Sequence, residues 1–202
     1  MTFPADFVWG AATAAHQVEG GNWNSDCWAL ESAKPSFFVE HSGVACDQFA
    51  RYGDDLAILA GLGLNTYRFS IEWARIEPEE GAFSQQALDH YKRVIDACWQ
   101  RNIQPMATFH HFTNPRWVAR DGGWADDRIV ERFARYSAVT AASLGGELAY
   151  AAAHDLELQG ADGPEDGVLV AHAGLAEDLH RPFLGELVEA GLELLALERV
   201  LG

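Results

Sequence analysis

The sequence predicts an α/β fold built from (β/α) units, and three observations carry that reading. Helix-like stretches alternate with short apolar strands in the order β, α, β, α, β, α over the first 145 residues. Two of those strands, Leu64–Trp73 (LNTYRFSIEW) and Gln104–His111 running on to Pro115 (QPMATFHHFTNP), end in polar and aromatic groups. Chemistry gathered at the far ends of strands is how a (β/α) barrel builds a site. A complete barrel takes eight units and about 250 residues. The 202-residue chain carries about three units, so the predicted class is a partial (β/α)8 TIM barrel with a divergent, helical C-terminal tail.

Each element has its own justification. Phe7–Ala15 (FVWGAATAA) is a short apolar run bounded by Pro4 and Gly20, as a buried first strand requires. Residues 47–62 place Phe49, Leu56, Leu59 and Leu62 near one helical face, with Asp47 as N-cap and Gly63 as the stop. Strand Leu64–Trp73 follows. Residues 85–101 bring Leu88, Tyr91, Ile95, Cys98 and Trp99 to helical spacing behind an N-cap at Ser84. Strand Gln104–His111 follows that. Residues 127–144 repeat the pattern with Ile129, Val130, Phe133 and Leu144, capped by Asp126 and stopped at Gly145. A further strand is due near residue 147, but GELAYAAA (146–153) lacks the β-branched residues that strands favour.

Composition changes at the same place. All seven Trp and 21 of the 23 aromatic residues precede Gly145. The first 145 residues hold 18 acidic and 12 basic side chains; the last 57 hold 12 and 2, with no Lys. The expected division is therefore 1–145 as barrel and 146–202 as an acidic tail. Within the tail, 160–167 is turn chemistry, and 183–201 reads as one Leu- and Glu-rich helix without a defined apolar face. The net charge of −16 argues against nucleic acid and against anionic membrane surfaces. Cys27, Cys46 and Cys98 form no metal or disulfide pattern, and MTFPADFVWG is not a signal peptide. Those features predict a cytoplasmic protein with no membrane partner, no cofactor and no metal.

Four ordered motifs carry a resemblance: FPADFVWGAATAAHQVEG, GLNTYRFSIEWARIEP, IQPMATFHHFTNPRWV and GGW. From Phe3 to about Gly145 the chain resembles the N-terminal part of family-1 glycoside hydrolases, the β-glucosidase family. The resemblance implies a (β/α)8 barrel and retaining hydrolysis of β-linked glycosides. Retaining chemistry needs two carboxyl groups about 5–5.5 Å apart, one as acid/base and one as nucleophile. The family places them in Asn-Glu-Pro and Glu-Asn-Gly motifs, and the sequence contains neither tripeptide. No catalytic residue is therefore assigned.

What the resemblance does imply is sugar holding. Gln17 and His111 match family residues that bond sugar hydroxyls, and an amide offers both a donor and an acceptor. Phe112 stands where the family often has Trp, with its ring near the sugar. Arg68 matches the arginine that supports the nucleophile, since a nearby cation keeps a carboxylate ionised. Thr113 and Asn114 replace a commoner Asp-Leu. His110 is expected on the opposite face of its strand from His111. Glu19, Glu72 and Trp124 are expected to be structural, Glu72 as a salt-bridging strand-end carboxylate. Glu147, Asp155 and Glu157 match no motif. The functional expectation is a β-glucosidase-like chain that is truncated and inactive alone, binds a β-linked sugar weakly and self-associates through open sheet edges. The alternative is a non-catalytic sugar-binding or interaction protein.

Overall fold

The computed structural model describes residues 3–4, 7–36 and 38–154. Its centre is a four-stranded parallel sheet in the order β1 (Gly10–Thr13), β2 (Thr66–Ser70), β3 (Gln104–His110) and β4 (Tyr150–His154). Register pairs Ala12 with Arg68, Arg68 with Met106, and Met106 with Tyr150. All four strands therefore deliver their C-terminal ends to one side. This is the partial barrel that the alternation predicts, with one strand more than the sequence shows cleanly. Tyr150–His154 is Ala-rich, but β3 offers it a complete ladder, and that pairing outweighs weak intrinsic propensity.

Seven helices join the strands among the described residues: α1 (Ala15–Val18), α2 (Asp26–Glu31), α3 (Gln48–Gly61), α4 (Trp73–Ile76), α5 (Gln85–Trp99), α6 (Arg116–Arg120) and α7 (Ile129–Leu144). The core lies between the sheet and the long helices. Tyr67 and Phe69 of β2 and Ala107 and Phe109 of β3 alternate toward it. There they meet Leu88, Tyr91 and Ile95 of α5 and Phe133 and Tyr136 of α7. Tyr136 also donates from its hydroxyl to the carbonyls of Ile71 and Phe109, at 3.2 and 2.8 Å, tying α7 to the ends of two strands. Each fully buried Ile, Leu or Phe side chain contributes about 1.5–3 kcal/mol.

Local details depart from the sequence reading in instructive ways. The first two strands are shorter than expected, because the chain turns into α1 and α4 straight after them. Ser84 caps α5 as expected, accepting from Ala87 N at 3.2 Å. Asp47 does not cap α3: its backbone is left-handed (φ 54°) and its side chain makes no cap bond. Asp126 stops short of being the N-cap of α7, which is Arg128, and bonds Arg128 N at 2.9 Å. Leu62 points outward at 70 % exposure. Two glycines are required by close approach. A Cβ at Gly10 would sit 2.7 Å from the Thr66 carbonyl oxygen, and one at Gly20 (φ 77°) would sit 2.1 Å from that of Val44. The expected tail helix at 183–201 lies outside the described residues.

Candidate functional site

Parallel strands place the loops after β1, β2 and β3 side by side, and these loops carry half of the buried polar groups among the described residues. Gln17 sits in α1, immediately beyond β1, and is exposed. Arg68 takes the middle of β2, on the face opposite Tyr67 and Phe69. His111 is buried just past β3, with its ring 4.1 Å from that of Phe112 in a T-shaped contact. Phe112 is 46 % exposed and has a left-handed backbone, φ 70°. His110 turns elsewhere: its ring meets Trp124 and Phe133 edge-on, and its Nε2 lies 3.1 Å from Asn114 Oδ1. That oxygen accepts, so Nε2 carries the proton.

The sequence reading missed how the loops are held. Glu72 is 2 % exposed and makes no ion pair among the described residues, so the expected salt bridge is replaced by three hydrogen bonds. Its Oε2 accepts from Asn22 Nδ2 and Thr113 Oγ1, each at 2.7 Å, and its Oε1 accepts from Ala74 N at 3.1 Å. Burial pushes its carboxyl up to about 7, against the Thr113 hydrogen bond, which pulls down. Asn22 lies 3.2 Å from His16 Nδ1, which can only accept from an amide nitrogen. His16 Nε2 is then the donor to Glu31 Oε1 at 2.8 Å. Thr113 and Asn114 both face inward. Asn114 donates to both carboxylate oxygens of Asp26, at 2.9 and 2.8 Å, closing the loop after β1 onto the loop after β3.

Two further buried carboxylates flank this cluster. Glu19 accepts from Arg75 Nε and Tyr91 Oη, both at 2.8 Å; burial raises its carboxyl and the Arg75 cation opposes the rise. Glu77 accepts from Trp73 Nε1 at 2.9 Å and from Gly81 N at 2.7 Å, and pairs with Arg135. Burial pushes the Cys27 thiol up to about 12, helped by the Asp26 and Glu72 charges, and burial alone does the same for Cys98. Both thiols are therefore protonated and unreactive near neutrality. Glu147 forms a surface pair with Lys92 at 2.9 Å. Asp155 and Glu157 lie outside the described residues. Among the described residues no three His, Cys, Asp or Glu side chains group as a metal site.

The profile of glycosyl hydrolase family 1 matches residues 1–159. The chain belongs to glycosyl hydrolase family 1. The family-1 match runs past Gly145, where the recognisable motifs end, and includes β4. A beta-glucosidase A from Acetivibrio thermocellus is 40 % identical over 153 residues, which cover 72 % of this chain and 34 % of that protein. The human cytosolic beta-glucosidase is 35 % identical over 147 residues, covering 68 % and 31 %. The crystal structure of beta-glycosidase BGL167 superposes with a TM-score of 0.72 at 56 % identity, covering 74 % of this chain and 36 % of that one. A Thermotoga maritima family 1 β-glucosidase in complex with isofagomine lactam gives 0.72 at 36 % identity, covering 76 % and 36 %. The chain spans about a third of the length of the curated relatives it matches.

In this family-1 chain two cavities share Asn24 and Pro78 in their linings. One of about 590 Å³ is lined by Asn24, Pro78, Arg116 and Trp117; another of about 340 Å³ is lined by Trp23, Phe49, Arg75 and His90. Neither includes Gln17, Arg68, His111 or Phe112. No local sequence signal points to Glu72 as a hub, because Asn22 and Thr113 stand 50 and 41 residues away from it.

Proposed function

We propose that the chain supplies the sugar-holding side of a retaining β-glucosidase-type site, with a β-linked glucoside as substrate class. Gln17 offers its amide to sugar hydroxyls, His111 offers a ring nitrogen, and the half-exposed Phe112 ring packs against the sugar. Arg68 is the cation that would keep a nucleophile ionised. The observation that carries the reading is the family-1 match combined with the parallel sheet, which sends the ends of β1 and β3 to one side. The 202 residues contain neither carboxylate motif, so we assign them no hydrolytic activity alone. The free thiols of Cys27, Cys46 and Cys98 support a cytoplasmic location, and the unpaired outer edges of β1 and β4 among the described residues support self-association. The composition changes after Gly145, while the sheet continues through β4.

The test is direct. The purified 202-residue chain should show no turnover of an aryl β-glucoside, yet give a saturation-transfer NMR signal with methyl β-glucoside that Gln17→Ala removes. Turnover at the rate of a full-length family member, or no sugar signal at all, refutes the reading.

A further inference from the structure

Glu72 stands where three loops converge. It lies two residues beyond β2, and its backbone N–H donates to Tyr91 Oη on α5 at 3.0 Å. Its Oε2 receives one donor from the loop after α1 (Asn22) and one from the loop after β3 (Thr113). Asn22 also bonds His16, the neighbour of Gln17. Thr113 directly follows Phe112 and is two residues from His111. Asn22, Thr113 and the Ala74 N–H all donate to its two carboxyl oxygens. A second tie between the same loops, Asp26 to Asn114, lies farther along both and does not reach β2. The Ala15 N–H to Ser70 Oγ bond ties only the Gln17 segment to β2, at 2.7 Å, whereas Glu72 ties both loops to the end of that strand.

We propose that Glu72 is a positioning residue for sugar binding. Through Asn22 and Thr113 it fixes the loop bearing Gln17 against the loop bearing His111 and Phe112. The proposal rests on the reading that those three residues hold a sugar. What Glu72 supplies is an oxygen at the Oε2 position rather than a charge. An amide oxygen there can still accept from both loops, whereas a methyl group cannot.

Amide hydrogen exchange of the whole chain, residue by residue, tests it. In Glu72→Ala, residues 16–22 and 111–114 should exchange at least about tenfold faster, while the centres of β2 and α5 stay within about twofold. The methyl β-glucoside signal should disappear with them. Glu72→Gln should restore loop protection to within about threefold of the parent. Thr113→Val leaves the carboxylate in place and should accelerate only residues 111–114, which keeps the test open if Glu72→Ala does not fold. Loops that exchange at the parental rate overturn the proposal, as does acceleration spread evenly over sheet and helices, or a Gln variant as loose as Ala. If the parent chain binds no sugar, the assigned function fails, and the exchange pattern still decides whether Glu72 orders the loops.

Discussion

Tyr67, Phe69, Ala107 and Phe109 bury against α5 and α7, where apolar contact dominates. In the segments that follow β1 and β2, Glu19, Glu72 and Glu77 are buried just as deeply among hydrogen-bond donors. The first region is held by area removed from water, which is non-directional and indifferent to pH. The second is held by geometry: each carboxylate is tolerable only while its donors stay in place. The two regions are neighbours but should fail in different ways.

The largest effect should come from breaking the polar end. Arg75→Ala leaves Glu19 buried with Tyr91 as its remaining side-chain donor and should cost about 4 kcal/mol at pH 8, read by urea unfolding. The cost should shrink at lower pH, because an uncompensated Glu19 can take up a proton. In the apolar region, Ile95→Ala should cost about 3 to 4 kcal/mol, since Ile95 is fully buried in α5, and the loss should be the same at pH 6 and pH 8. A pH-dependent loss at Ile95 would erase the contrast between the regions.

Glu72 sharpens the comparison. Its carboxyl is raised from 4.5 to about 7, so the folded state binds the proton more tightly than the unfolded chain does. Its contribution is fully present below pH 4.5 and is lost as pH rises toward 7. The stability of the parent relative to Glu72→Gln should therefore fall by about 3 kcal/mol between those limits. A flat difference would mean that the donors fully offset burial. The smallest effect is local: Ser84→Ala removes the cap of α5 and should lower stability by about 1 kcal/mol at any pH.

The contrast also explains what could be read beforehand. The helix-facing residues announce themselves by period, so α5, its Ser84 cap, β2 and β3 are legible, and with them the family motifs. β4 is not, because Tyr150–His154 owes its conformation to β3 rather than to its own Ala-rich sequence. At the site, Gln17 and His111 stand out by resemblance. Glu72 reads as a salt-bridging strand-end carboxylate, because hydrogen bonds to Asn22 and Thr113 leave no mark in local sequence. The same holds for Asn114, whose inward bonds to Asp26 have no periodic signature. Directional contacts between distant residues are visible only once the chain is folded.

Phe112 carries a consequence for how this chain can change over generations. An aromatic residue at φ 70° occupies a backbone state that glycine adopts at no steric cost and that L side chains resist, by about 1–2 kcal/mol. Because the ring is half exposed, losing it forfeits only part of the compensating burial. Lineages screened for thermal persistence alone would drift to Gly at this position. On the proposed packing of the ring against a sugar, lineages screened for a sugar-dependent trait would keep it. Position 112 is thus a recorder of which pressure the chain has been under.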